Sequence, residues 1–195
     1  YVSSSLEAQV VNFADSIAYS VADLDDGLSS NIISLKDISE LNLWKVAYRA
    51  SSQKPDPKKY TQNYISQILK LLLSDLSQET EKRIKANNVN TISDVYKSRN
   101  ALVGYSKDFI PLVSELKNFL HQYFYNSNKV VSLANEGKQM IRSLFNFYYT
   151  NQDKLDDDRK QAIQEGENPV IIIKDYIAGM EDNFARAKIK EYALP

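Results

Sequence analysis

Apolar residues along this chain return at steps of three and four, the spacing of one helix face. Leu6, Val10, Phe13, Ile17, Val21, Leu24 and Leu28 form the first such stripe. Ser4 and Glu7 ahead of it have the spacing of a capping box, and Gly27 is a plausible stop. Short helical pieces follow at 35–40 and 41–51, the second carrying Trp44, Val46 and Tyr48. Lys54-Pro55-Asp56-Pro57 is a loop, because each proline biases its predecessor out of the α region. The longest helix is expected over 57–86, with Tyr60, Tyr64, Ile68, Leu72 and Leu76 on one face and Asn87-Asn88 as its end.

Beyond it, 91–98 holds one or two turns. Gly104 and Pro111 interrupt the pattern before a strong helix over 112–125. Asn126-Ser127-Asn128 is a kink or short break ahead of a helix over 130–150. Asp156-Asp157-Asp158 opens a helix that reaches Gln164 before Gly166, and Pro169 starts one or two final helices around Gly179. The expected fold is all-α, with seven to nine helices and no internal repeat, linker or obvious domain boundary.

Composition supports this. Only five Gly and five Pro occur in 195 residues, 43% apolar and 25% charged, the balance of a globular protein poor in helix breakers. The formal net charge of −1 offers no overall basic field for nucleic acid or an anionic membrane. Cysteine is absent, which rules out disulfides and thiolate–metal sites and fits a reducing cytoplasm. No apolar run approaches a bilayer-spanning length, and no signal-peptide pattern opens the chain. The chain starts at Tyr1 rather than Met, so it is expected to be part of a longer protein.

Two polar rows carry candidate chemistry. Asp15, Tyr19 and Asp23 lie at i, i+4, i+8 on the first helix. Each step of four drifts only ~40°, so the three share a face over about 12 Å. Ala8, Val11, Ala18 and Ala22 flank them, which suggests a helix buried on two sides with carboxylates on one. A buried carboxylate must be paired, hydrogen-bonded or metal-bound. Asp23, Asp25 and Asp26 also crowd a helix end whose dipole prefers cations. Lys117, His121 and Tyr125 repeat the spacing on a later helix and offer a phosphate-seeking cation, an imidazole and a phenol. Spacing alone favours solvated or ion-paired faces for both rows, since ion-pair networks imitate sites. A lone histidine makes no metal site. The chain has no glycine-rich phosphate loop, H-E-x-x-H or G-x-S-x-G. The acidic run 153–158 fits a solvated helix start, Asp94, Lys97 and Arg99 look like surface residues, and the aromatic cluster 145–149 fits core or interface better than a base-stacking platform.

Three segments resemble one family. Ser5-Leu6-Glu7-Ala8-Gln9, Ala14-Asp15-Ser16-Ile17-Ala18-Tyr19 and Asp23-Leu24-Asp25-Asp26-Gly27-Leu28 together resemble the "SLEAQ…LADEIAY…HDLDDGL" segment of bacterial dGTPase-like proteins of the HD superfamily. The stretch from Phe119-Leu120 to Tyr125, with Lys129-Val130, is similar to their "FLYERVY…V" helix, and 175–182 to their "DYIAGMTD" signature. The motifs occur in the family's order and span nearly the whole chain.

The resemblance implies an all-helical, metal-dependent dNTP triphosphohydrolase that cleaves dGTP or several dNTPs to deoxynucleoside and triphosphate. Residues 1–30 would be the last part of the HD catalytic domain, and 31–195 the HD-associated helical domain, compact with 1–30. Asp15 would be the last ligand of an H…HD…D set holding a divalent ion such as magnesium or manganese, and would point into a shared cavity. Tyr19 would lie near sugar and phosphate, and Asp23 would bind the 3′-hydroxyl. Lys117 would meet phosphate, and Tyr125 would lie under the deoxyribose, leaving no room for a 2′-hydroxyl. His121 stands where the family often has Tyr. The H…HD ligands would precede Tyr1, so this chain would be inactive without them. A homo-oligomer, an allosteric dNTP and cytoplasmic residence also belong to the family picture. The competing readings are a non-catalytic oligomerisation or effector-nucleotide module and, against the net charge, a single-strand nucleic-acid binder.

Overall fold

The computed structural model describes residues 4–51 and 61–195. Among them the regular structure is entirely helical, as the sequence pattern predicts. The chain divides into two compact units, 1–127 and 128–195.

In the first unit, α1 spans Leu6–Ser29. Its N-cap is Ser5 rather than Ser4: the Ser5 hydroxyl accepts from the Ala8 N–H at 3.2 Å. The expected Ser4–Glu7 box is replaced by a bond from the Gln9 side-chain amide to the Ser4 carbonyl. Ile17, Val21 and Leu24 are buried as the stripe predicts, but Val10 is exposed. Gln9 explains this, because its Oε1 faces the protein and accepts from the Leu102 N–H at 3.2 Å. Nor does Gly27 stop the helix; it is buried and the chain stays helical through Ser29. A Cβ there would lie 2.5 Å from Ile33 Cδ1 and 3.3 Å from Phe124 Cδ2, so glycine serves close packing instead of termination.

Next come α2 (Leu35–Ser39), begun by a Ser34–Asp37 capping box, and α3 (Asn42–Ala50), which buries Leu43, Trp44 and Ala47. The expected loop at 54–57 and the expected start of the long helix, including Tyr60, lie outside the described residues. Helix α4 runs Thr61–Ala86 and buries Tyr64, Ile68, Leu72 and Leu76, the predicted face, together with Ile65. Asn88 ends it at φ 52°, a left-handed geometry that Asn tolerates. The short α5 (Ile92–Lys97) opens with a Thr91–Asp94 capping box. Helix α6 (Phe109–Leu120) starts before Pro111 instead of after it. Pro111 sits in the first turn, where its missing N–H would have no intrahelical partner anyway.

Helix α1 packs on α4 and α6, and α3 packs on the same two helices. Between them, Trp44 and Tyr48 both contact the Tyr64 ring, at 5.2 and 5.7 Å between centroids. The Arg83 guanidinium ties down the segment ahead of α6 by donating to the Tyr105 carbonyl at 2.7 Å while pairing with Glu79 at 3.0 Å.

The second unit contains α7 (Asn128–Thr150), a 3₁₀ turn (Gln152–Lys154), α8 (Asp157–Gln164), α9 (Pro169–Ala178) and α10 (Asp182–Glu191). Pro169 occupies the first helical position of α9, and Asn168 caps it by accepting from the Val170 N–H at 3.0 Å. The core joins Leu144 and Tyr148 of α7 to Leu155, Ile173, Tyr176 and Ala185. The aromatic run therefore supplies core, as expected: Phe147 stacks on Tyr192 at 4.2 Å, and Tyr148 meets Tyr176 edge-on at 5.2 Å. Residues 128–139 of α7 contribute nothing to that core. No described helix is long and apolar enough to cross a membrane.

Candidate functional site

The chemistry gathers where α1 meets the end of α6. After Leu120 the helix widens into a π-helical turn, His121–Tyr125. Its signature bond runs from the Asn126 N–H to the His121 carbonyl, five residues back, at 3.3 Å. Such wide turns rotate the side chains that follow relative to a regular helix and recur at functional sites. Here the turn places Phe124 against Gly27 and Tyr125 against Asp23, two α1 positions one turn apart.

The Tyr125 hydroxyl donates to Asp23 Oδ2. This bond joins the two polar rows, 102 residues apart in sequence. Burial, followed by the Asp23 carboxylate that accepts its hydrogen bond, pushes the Tyr125 phenol up to about 12. Asp23 is half-buried, whereas Tyr125 is exposed on the side away from the bond.

The rest of the rows face outward. Asp15 is exposed, Tyr19 is 63% exposed and Val11 62%. Ala8, Ala18 and Ala22 are exposed as well. The expectation of a helix buried on two sides is thus not met within this chain: α4 and α6 cover the Ile17–Val21–Leu24 side, and no described element covers the Asp15–Tyr19 side. An open groove of about 320 Å³ runs between α1 and α4 beside the covered side, lined by Ala14, Ile17, Val21, Asp25, Ile65 and Leu69 among others, and Asp15 and Tyr19 are not part of its lining. On α6 and the wide turn, Lys117 and His121 are also exposed.

Two residues that spacing did not single out hold the arrangement. Gly27 admits Phe124, and the Asn126 side-chain amide binds His121. Their only trace in the sequence is a glycine inside a helical pattern and an Asn-rich break. No group of three His, Cys, Asp or Glu side chains that could hold a metal gathers among the described residues. Asp15 is a hard oxygen donor suited to magnesium or manganese, but one carboxylate makes only part of a coordination shell.

Residues 103–191 match the model of the phosphohydrolase-associated domain. Over 195 aligned residues, 98% of the chain, the sequence is 32% identical to a deoxyguanosinetriphosphate triphosphohydrolase-like protein of Geobacter sulfurreducens. A protein of the same name from Nitrosomonas europaea is 32% identical over 97% of the chain, and one from Leptospira interrogans 29% over 93%. Over nearly its whole length the chain is thus similar to proteins named deoxyguanosinetriphosphate triphosphohydrolase-like. It spans about half the length of these relatives: 50%, 50% and 49%. The segments of the dGTPase-like resemblance fall on α1, on α6 with its wide turn, and on the α9–α10 junction.

Proposed function

We propose that the chain is the C-terminal part of a metal-dependent dNTP triphosphohydrolase, which cleaves dGTP or several dNTPs to deoxynucleoside and triphosphate. The observation that carries this reading is the Tyr125–Asp23 bond, because it brings together the two rows to which the resemblance gives nucleotide roles. In this reading residues 1–30 complete the HD catalytic domain and 31–195 are the HD-associated domain.

The nucleotide lies along the open side of α1 and the wide turn. Asp23 accepts from the 3′-hydroxyl. The Tyr125 ring packs beneath the deoxyribose and leaves no space for a 2′-hydroxyl. Tyr19 borders sugar and phosphate. Lys117 offsets charge on the triphosphate leaving group. Asp15 supplies one oxygen ligand to a magnesium or manganese ion whose remaining ligands come from the half of the family's length that this chain does not span. When bound, that ion acts as a Lewis acid at the α-phosphorus. An exposed Asp15–Tyr19 face fits a surface that another segment covers, and by itself the 195-residue chain is expected to be inactive. Cytoplasmic residence belongs to the same reading.

The test is dGTP hydrolysis by a protein restoring the relatives' full length, alongside manganese binding by calorimetry. Asp15→Ala should abolish turnover and weaken metal binding at least about tenfold, the loss associated with a damaged ligand shell. Undiminished turnover and metal affinity would overturn the assignment.

A second reading is a helical oligomerisation module that also binds an effector nucleotide. It draws on Val131, Leu133 and Ile141, exposed apolar residues of α7. Light scattering tests it: a stable homo-oligomer without nucleotide affinity at the α1 row would favour this alternative.

A further inference from the structure

The wide turn that presents Tyr125 also fixes the chemistry of His121, the only histidine in the sequence. Asn126 Nδ2 lies 2.8 Å from the His121 carbonyl oxygen and 3.2 Å from its Nδ1. A carbonyl oxygen can only accept, so the Asn126 group facing it must be the NH₂ rather than the amide oxygen. That NH₂ has two hydrogens. One goes to the carbonyl and the other to the imidazole. Nδ1 must therefore present its lone pair, and in the neutral ring the proton sits on Nε2.

This excludes one role and assigns another. A general base needs a lone pair that a substrate proton can reach. In neutral His121 the Nδ1 pair is taken by Asn126, and Nε2 carries a hydrogen. The exposed imidazole can donate a hydrogen bond, and it has no free pair with which to abstract a proton. Position matters too. His121 begins the wide turn that ends at Tyr125, one turn beyond Lys117, so its donor belongs to the same row as the cation and the phenol.

We propose that Asn126 is a positioning residue that locks His121 as an Nε2–H donor, and that this donor addresses an acceptor oxygen of the nucleotide. The second half rests on the functional reading given above; the first does not. Asn126 also closes the wide turn through its own backbone N–H, so one residue sets both the backbone geometry and the tautomer.

Nitrogen-15 NMR of the 195-residue chain tests this directly, because a single histidine gives a single pair of ring nitrogens. The two-bond proton–nitrogen pattern should show Nδ1 unprotonated and Nε2 protonated. An Nδ1–H ring, or an even mixture of tautomers, would overturn the lock without needing any variant. Asn126→Asp replaces the donor with a carboxylate acceptor and should invert the pattern to Nδ1–H; Asn126→Ala should let the tautomers mix. A merely structural cap at this position would leave the ring pattern unchanged in both variants, and that result would also overturn the proposal. Titration with dGTP reads the second half: the Nε2 resonance should move while Nδ1 stays unprotonated. A tautomer pattern as expected, with resonances unmoved by dGTP, would sink the nucleotide assignment of the row and leave the lock standing.

Discussion

Tyr125 gives its phenolic hydrogen to Asp23, and so couples the last turn of one helical segment to the first long helix of the fold. The phenol is the donor, so the bond exists only while Tyr125 is protonated. Burial and then Asp23 raise the pH at which that proton leaves, from an ordinary 10.0 to about 12. The sign follows from linkage. A group whose folded value is raised stabilises the native state fully below its unfolded value, and that contribution disappears as pH climbs from 10.0 towards about 12. Tyrosinate absorbance of the parent minus that of Tyr125→Phe should show a phenol ionising late. In Asp23→Asn the same difference should move to lower pH, because the carboxylate's bond and charge are gone. An unchanged difference would mean that Asp23 has no influence on the phenol.

Gly27 lies one turn after Asp23 and leaves room for the turn that carries Tyr125. A methyl group there would come within 2.5 Å of Ile33 Cδ1, a side chain only 2% exposed, and within 3.3 Å of Phe124 Cδ2. Overpacking of this kind costs about 1–3 kcal/mol, more than the helix-propensity gain of about 1 kcal/mol for Gly→Ala. Gly27→Ala should therefore lower the midpoint of urea unfolding despite the better helix former. It should also weaken the raised ionisation of Tyr125, since Phe124 and Tyr125 move together. A variant more stable than the parent would show that Ile33 and Phe124 give way freely.

These two contacts mark the limit of what the chain's pattern reveals. The buried faces of α1 and α4 were legible because Ile17, Val21, Leu24, Ile68, Leu72 and Leu76 keep helical steps over several turns. The rows containing Asp15, Tyr19, Asp23, Lys117, His121 and Tyr125 were legible as spacing, but their bridge was not, because a bond across 102 positions leaves no periodic trace. The wide turn was hidden for a related reason: over five residues, side-chain spacing hardly separates a π turn from an α turn. Pro111 and Gly27 misled by residue type. Each is ordinarily a breaker, yet a first-turn proline gives up no bond and a glycine can mark close approach. The open side of α1 was misjudged because small and apolar flanks signal burial without saying which segment does the burying.

Acid should probe the caps. Asp94 accepts from the Asn90 and Thr91 backbone N–H groups, at 3.0 and 2.9 Å, as the carboxylate half of the α5 capping box. The Asn90 N–H, the Thr91 hydroxyl and the Thr91 N–H hold its carboxyl below the ordinary 3.8. A depressed value means stability that is present above 3.8 and lost as pH falls through the folded value. Asp94→Asn should flatten the acid limb of a melting-temperature profile and leave the alkaline limb alone. An acid limb as steep as the parent's would assign the loss to other carboxylates.

The second unit offers a separation of packing from polarity at one residue. The Tyr148 ring is fully buried among Tyr176, Tyr192 and Phe147. Its hydroxyl has no well-formed hydrogen bond, although Tyr176 and Tyr192 lie near enough to raise its ionisation further, after burial. A buried, unsatisfied hydroxyl costs about 1–3 kcal/mol, and an apolar group of the same shape avoids that cost. Tyr148→Phe keeps the ring and should therefore be neutral or stabilising by up to about 1 kcal/mol. Tyr148→Ala removes the ring and should cost about 3–5 kcal/mol through lost burial and the cavity left behind. Urea titrations of the two variants decide the matter. If the phenylalanine variant loses as much as the alanine one, the hydroxyl has a partner that matters, and the unit's core is polar in a way its aromatic contacts do not reveal.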